Sequence, residues 1–507
     1  MNNYYQTELR KSFYSKQFLL ATIFSFICLC IGGIEYLSGY LDSSTVGSFY
    51  LFMDSYSSGF YSVLIFLSPI ICSIPFALSY LDEKESNKFE IIIKEVGLKK
   101  YIKSKLIANM LSGGMALSIS LILYYLFLIT IKGIIPSDIN YYDLNQNLGA
   151  FIANNQFAYI LVEIIFAFIF GATFANLTFC MSFIVKDKCL SIFSSMFFYM
   201  LSSVVLSRFS DYLNSQIIYS FSSSINIGIL PRIVHAFILN IIYVLILASS
   251  FKFKNTKINL RLSFKIISYL SMFLLIYFKT NEFLSFYNNQ VTIWEFLIYL
   301  FNDLYTVSYF ASFCFLMVTT DIFNKNDLRS SLLCDLKDIL IALSKFIAIF
   351  LIFSILMSIF KMDTSLEWSE FSKSSELFIS IHKMHTPLFV LLISLVHMSL
   401  YLFSIALICV TVTKITKNST VGLISTCTLI IFNICTSIGR IKGLNTFSLS
   451  RNVISIAQLN PQSGHLYFVP SLLYWICLIL VICNIYSEYS NIKFNFNLRK
   501  NKKSITS

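Results

Sequence analysis

The chain has 507 residues, of which 56% are hydrophobic and only 13% charged, with a mean hydropathy of +0.73. Those proportions exclude a soluble globular domain and imply surfaces that face lipid. The net charge of +12 does not point to a nucleic-acid partner, because the basic residues sit in short loops beside apolar runs, where anionic lipid headgroups are the nearer counterions.

At the start of the chain, Tyr5, Leu9 and Phe13 recur every four residues while Glu8, Arg10, Lys11 and Lys16 occupy other faces. This pattern predicts an amphipathic interfacial helix over 4–15. The following run, Phe18 to Ile34, has the flank of a signal peptide, but no small-residue cleavage site follows, so it reads as an uncleaved first span. A span needs about 20 mostly apolar residues. On that criterion spans are predicted near 18–38, 61–80, 106–131, 157–184, 189–207 and 233–250, then near 262–278, 304–320, 340–360, 388–412, 421–438 and 469–487. The fold class is therefore all-α and integral to a membrane, with about twelve transmembrane helices. Residues 293–301 are expected to extend the span at 304 or to lie at the membrane interface, where Trp294 and neighbouring tyrosines are comfortable.

Most of the 38 Lys and Arg fall on alternate gaps between these runs. Basic loops resist translocation, so both termini, the 81–105 loop, the 251–265 loop and the basic tail 488–507 are expected on the cytoplasmic side. The abundance of Ile, Lys, Asn, Phe and Tyr suggests an AT-rich bacterial genome, and hence a bacterial plasma membrane.

Two sets of six spans are expected to be tandem copies, 1–260 and 261–507. Tyr50-Leu51-Phe52-Met53-Asp54-Ser55-Tyr56 is echoed by Tyr299-Leu300-Phe301-Asn302-Asp303-Leu304-Tyr305, each just before the second span of its set. The tails Asn255-Thr256-Lys257-Ile258-Asn259-Leu260 and Asn491-Ile492-Lys493-Phe494-Asn495-Phe496 are likewise similar. Repeats of this kind are frequent among transporters, whose pathway runs between the copies.

The most informative loop, 81–105, packs charged residues around an apolar patch: Glu83, Glu85, Glu90 and Lys94 are followed by Gly97, which can stop a helix, and by Lys105. It suits docking onto another protein; a solvated loop that only sets topology is the plainer alternative. Glu83-Lys84-Glu85, then Lys88-Phe89-Glu90 with an aliphatic run, then Gly97, Tyr101 and Lys105 resemble the cytoplasmic loop of ABC-2 type transporter permeases. That loop ordinarily opens Glu-Arg-Glu-x-Gly-Thr-x-Glu and closes on a Lys at the start of the third span. Glu8-Leu9-Arg10-Lys11 resembles the family's elbow helix. Asn87 stands where Gly is usual, and Asn tolerates left-handed geometry. The similarity covers roughly residues 4–131; the second set follows the family in layout.

The resemblance implies that the loop forms a coupling helix seated in a groove of a cytoplasmic ABC ATPase, a dimer of separate subunits that binds ATP and Mg. The chain has no Gly-x-x-x-x-Gly-Lys-Ser/Thr motif, so no ATP hydrolysis and no bound cofactor are expected of it. In the second set the equivalent loop, 321–345, lacks the acidic opening but carries Arg329 as a coupling candidate and ends at Lys345, 24 residues after Asp321 as Lys105 stands 24 after Leu81, and it makes a second, divergent docking candidate.

Polar residues inside spans are costly and mark candidate pathways. Glu163 is a candidate for contact with a cationic substrate or basic partner, against the plainer reading that it reaches the headgroups. His397 is a candidate proton relay, against a hydrogen-bonded packing histidine. His382 and His385 have a metal-compatible i,i+3 spacing but no evident third ligand, and the cysteine spacings match no metal motif. Gly113-Gly114 and Gly171 with Ala175 offer small faces for close helix packing. The favoured reading is the permease of an ABC exporter of a hydrophobic or amphipathic substrate such as a peptide or drug. A twelve-helix secondary transporter is the alternative, disfavoured by the long charged loop; a membrane-embedded transferase lacks a catalytic constellation.

Overall fold

A computed structural model describes residues 2–40, 46–57, 63–134, 155–219, 227–252, 260–286, 291–323, 332–374, 378, 381–382, 385–438, 448–454 and 468–505. Among them no strand occurs, only one isolated bridge between Thr292 and Asp363. Among the described residues ten helices are long and apolar enough to cross a membrane. The chain is an all-α, multi-pass membrane protein by this measure. It divides into two compact units, Met1–Arg261 with Ile438–Ile441, and Leu262–Ser437 with Lys442–Ser507.

Unit 1 begins with α1 (Asn2–Phe13), α2 (Lys16–Tyr40) and a short α3 (Ser48–Ser57). The span expected at 61–80 is not one helix. It breaks into α4 (Val63–Ile71), a run of turns over 72–78, and α5 (Ser79–Glu85). Pro69 and Pro75 are the cause, since each removes a backbone donor and crowds the preceding turn. The groups they strand are recovered locally. Ser68 Oγ donates to the Ile65 carbonyl that Pro69 cannot reach, at 3.0 Å, and the Pro69 carbonyl accepts from Ser73 Oγ at 2.7 Å and Ser195 Oγ at 3.2 Å. Broken backbone at membrane depth persists only when buried in protein and repaired in this way.

After α6 (Lys88–Val96) come α7 (Leu98–Lys132), α8 (Gln156–Val185), α9 (Lys188–Met200), a short α10 (Gln216–Tyr219) and α11 (Ile229–Lys252). The last third of the expected 81–105 loop is thus helical, because nothing breaks the chain between Gly97 and the apolar body of α7. α7 and α8 form the most extensive helix contact of the unit. A Cβ on Gly171 would lie 2.6 Å from the Gly113 carbonyl oxygen, and one on Gly113 would lie 2.5 Å from the Ala175 Cβ, so the backbones touch where the small residues face. Amides extend the contact to α11: Asn109 Nδ2 donates to Asn176 Oδ1 at 3.3 Å, and Asn176 Nδ2 to Asn240 Oδ1 at 3.0 Å. Asn155 and Asp187 cap α8 and α9 by accepting from backbone amides of their first turns.

Unit 2 holds α12 (Leu260–Phe286), α13 (Ile293–Asn302), a π-helical turn (Tyr305–Ala311) leading into α14 (Ser312–Phe323), α15 (Leu332–Ser358), a short α16 (Glu370–Ser374), α17 (Pro387–Thr416), α18 (Ser419–Ile438), α19 (Leu449–Val453) and α20 (Phe468–Ile505). Residues 293–301 do not extend the next span. They form α13, a separate helix opened by a capping box between Thr292 and Glu295. Its place after the first long helix matches that of α3 in unit 1, and Leu51, Phe52, Leu300 and Phe301 are all fully buried. The echoed segment 255–259 lies outside the described residues.

Candidate coupling site in unit 1

The α5–α6 segment is shaped by two left-handed residues. Asn87 has φ 57° and separates the two helices in a left-handed conformation, one that Asn adopts more readily than other non-glycine residues. Gly97 has φ 81°, and its N–H donates to the Ile93 carbonyl at 2.9 Å, closing α6. The result is a nine-residue helix with no buried residue, on which Ile91 is 60% exposed and Glu90, Lys94 and Glu95 point to solvent.

Behind this helix lies an ion-pair network joining α1, α5 and α7. Lys105 is fully buried; its Nζ lies 2.6 Å from Glu83 Oε1 and 2.8 Å from Glu8 Oε2. Lys11 contacts the other Glu8 oxygen at 2.6 Å, and the Tyr101 hydroxyl donates to Glu83 Oε2 at 2.7 Å. The ammonium also faces the Phe76 ring at 4.7 Å, a favourable placement for a cation. Burial, then the carboxylates of Glu8 and Glu83, hold the Tyr4 hydroxyl well above its ordinary pKa, so it stays neutral in this cluster. Phe89 of α6 packs edge-on against Tyr80 at 5.0 Å and Tyr101 at 5.5 Å, tying the exposed helix to the network. Lys188, at the start of α9, pairs with Asp82 at 2.7 Å and Glu85 at 2.6 Å.

The sequence candidates therefore separate into two kinds. Glu83 and Lys105 meet inside the protein and act as a brace; neither offers its charge to a docking partner. Glu85 is exposed but engaged by Lys188, whereas Glu90 and Lys94 present their charges outward beside Ile91. By sequence Glu8 is only one polar position on an amphipathic helix, and its burial against Lys105 has no local signal: the partners are 97 positions apart.

In the second unit Arg329 lies outside the described residues. Lys345 does not correspond to Lys105. It is exposed, midway along α15, and the buried charge of that helix is Asp335, held by Lys414 Nζ at 3.1 Å and by the Tyr486 hydroxyl at 2.7 Å. Counting 24 positions from the loop start misplaces the equivalence because α14 runs on to Phe323 and α15 starts at Leu332.

Glu163 is fully buried in α8 and interacts electrostatically with Arg232 of α11, also fully buried. Arg232 further donates to the Ile217 and Ile227 carbonyls at 2.6 and 2.9 Å. The carboxylate thus has an internal countercharge and does not reach headgroups. His397 is buried between the Ile393 carbonyl, 2.9 Å from Nδ1, and Ser471 Oγ, 3.2 Å from Nε2, so Nδ1 donates its proton to the carbonyl while Nε2 faces a hydroxyl that can donate or accept. In unit 2, Lys279 stands 3.4 Å from Asp303 and 3.7 Å from Glu282, a cluster that no sequence motif announces. Among the described residues no group of three or more His, Cys, Asp or Glu is arranged to hold a metal ion.

Comparison of the chain with protein-family models, curated proteins and solved structures finds no match.

Proposed function

We propose that the chain is the membrane-spanning permease of an ATP-driven exporter of the ABC-2 type, in a bacterial plasma membrane, moving a hydrophobic or amphipathic substrate such as a peptide or drug. In this reading twelve spans form two tandem six-helix halves, 1–260 and 261–507, with both termini cytoplasmic. The broken 61–80 segment and the apolar helix α18 supply the two crossings beyond the ten long helices. ATP and Mg belong to a separate cytoplasmic ATPase dimer, and this chain is not itself an enzyme.

The observation that carries the reading is α6. A nine-residue helix with no buried residue, whose apolar run Phe89, Ile91, Ile92, Ile93 and Val96 stays at least partly open, offers a contiguous apolar surface suited to a hydrophobic groove on a partner. Its attachment fits a lever. Phe89 seats it on Tyr101, and Tyr101, Glu83, Lys105 and Glu8 form one chain of contacts into α7 and α1, so that a push on α6 by the motor is passed to the spans.

The test is copurification with the ATPase and substrate-stimulated hydrolysis in proteoliposomes. Ile91→Asp with Lys94→Glu is expected to lower both about tenfold, the loss typical of a well-packed interface residue, while leaving the melting temperature of the isolated chain unchanged. Full activity in that variant would remove α6 as the docking element. Crosslinking through Lys94→Cys is expected to exceed that through Leu333→Cys, since α6 is a short exposed helix seated directly on the network of Tyr101, Glu83 and Lys105.

A further inference from the structure

We propose that unit 2 binds an internal water molecule where the π-helical turn Tyr305–Ala311, α17, α19 and α20 meet. Ser308, Ser450 and Trp475 hold it around the Tyr401 hydroxyl, and the assignment stands with or without an ATPase partner.

Tyr401 is fully buried midway along the 30-residue α17, with roughly 20 Å of helix on either side. Its hydroxyl donates to the Ser308 carbonyl at 3.0 Å, and the side chains of Ser308, Ser312 and Ser450 surround it. Ser312 is satisfied, because its Oγ donates to the Val307 carbonyl at 3.0 Å across the π-helical turn. Ser308 and Ser450 are not. Both are fully buried, yet neither Oγ reaches a hydrogen-bond partner among the described residues. The same holds for Nε1 of Trp475, whose fully buried ring stands edge-on to that of Tyr401 at 6.0 Å. One turn earlier on the same two helices the polar groups do meet: His397 Nε2 and Ser471 Oγ lie 3.2 Å apart.

Buried polar groups in native proteins are almost always bonded, to protein or to ordered water. Three orphans brought to one tyrosine by three separate elements therefore make a site, and their chemistry selects its occupant. Trp475 Nε1 can only donate, each serine hydroxyl can donate or accept, and the Tyr401 oxygen still has lone pairs to accept with. One water accepting from Trp475 and one serine, and donating to the other serine and to Tyr401, satisfies the whole set within the two to four bonds usual for buried water. A cation would face the indole donor, and an anion would be buried without a countercharge from any of these groups, which is costly at this depth. Tyr401, Ser308, Ser450 and Trp475 are all 0% exposed, which leaves no opening for a larger neutral ligand.

X-ray radiolytic footprinting of the full chain in detergent reads the site, because radicals formed from a bound water oxidise the side chains it touches even where bulk solvent is excluded. Tyr124 is the internal reference, equally buried but with its hydroxyl donated to Ser55 Oγ at 2.8 Å. Tyr401 is expected to be oxidised several-fold faster than Tyr124. Ser308→Ala combined with Ser450→Ala removes two partners of the water and should bring Tyr401 down to the Tyr124 rate. Ser404→Ala, on the same helix but bonded to the Leu400 carbonyl, should leave the rate unchanged. A second reading uses Trp294→Phe, Trp368→Phe protein with both serines intact, in which Trp475 is the sole tryptophan. Its emission is expected at longer wavelength than that of indole in a dry apolar solvent. Equal oxidation of Tyr401 and Tyr124 in the wild type would overturn the assignment. So would Tyr401 oxidation indifferent to the double serine substitution in protein of unchanged melting temperature, or apolar-solvent emission from Trp475.

Discussion

Lys105 balances two carboxylates in a volume from which water is excluded. Glu8 and Lys105 are fully buried, and the Glu83 side chain is only 13% exposed. A network of this kind gains little over an apolar replacement of the whole set, but losing one member leaves the others uncompensated. Lys105→Met is therefore expected to destabilise the chain by about 3–5 kcal/mol, the range for breaking a buried pair. Glu83→Gln should cost less, because its carboxylate keeps partial access to water and the amide still accepts from Tyr101. Combining Lys105→Met with Glu8→Gln and Glu83→Gln should recover most of the loss. Thermal unfolding in detergent, arranged as a multiple-mutant cycle, checks this; strictly additive effects would mean that the three groups do not act as one unit. Glu163 and Arg232 follow the same logic in α8 and α11, and for that reason Glu163 is better regarded as a fastener than as a substrate contact.

At the scale of elements, the contact of α7 with α8 sets packing against polar bonding in a way that magnitudes can decide. Gly171→Ala drives a Cβ to 2.6 Å from a backbone oxygen, which cannot rotate away, so the helices must separate. Overpacking of this sort costs about 1–3 kcal/mol. Asn176→Leu removes two interhelical amide bonds, each worth about 0.6 kcal/mol in a membrane interior. The glycine substitution is expected to lower stability more than the asparagine one, measured as the shift in unfolding midpoint in mixed micelles; the reverse order would show that amides rather than backbone contact hold the pair. Gly113, Gly171 and Ala175 were legible in the sequence because a small side chain in a span offers little beyond the close approach of its helix to another. The asparagine ladder was not, since its members stand on three different helices and share no local pattern. The break in the second span was half legible: Pro69 and Pro75 are plain in the sequence, but hydropathy counts apolar surface and ignores the missing donors. The same limit applies to Lys345, which spacing aligned with Lys105 although helix boundaries, invisible to spacing, put it on the opposite kind of surface.

For the whole molecule, the placement of charge inside each unit makes the topology testable. In unit 1, α1, α5, α6 and Lys188 gather at one end, and Glu163 with Arg232 belongs to the other, since α8 begins at Gln156 and Lys188 follows its far end. In unit 2, Lys265 pairs with Asp321 and Lys414 with Asp335 at one end. The other end carries Trp294, whose Nε1 donates to the Thr364 carbonyl at 3.3 Å, and Trp368, whose Nε1 donates to the His385 carbonyl at 2.7 Å, a residue type that collects at membrane interfaces. If basic loops stay inside, Ser210 and Ser365 face outward, while Glu95 and Lys417 face the cytoplasm. In a background with the exposed thiols Cys334 and Cys477 replaced by Ser, a membrane-impermeant maleimide applied to intact cells is expected to label Ser210→Cys and Ser365→Cys. Glu95→Cys and Lys417→Cys should react only after permeabilisation. Each unit is read by its own pair of sites, so the result is not a single vote. Inversion of the second pair alone would leave the α6 site on the cytoplasmic side, and an odd number of crossings between Glu95 and Ser365 would have to become even. The crossing most exposed to that revision is Tyr305–Phe323, the shortest of the long helices between those two sites at 19 residues. At 1.5 Å per residue it reaches about 28 Å, barely the thickness of the hydrocarbon core, and it opens with a π-helical turn rather than regular α-helix.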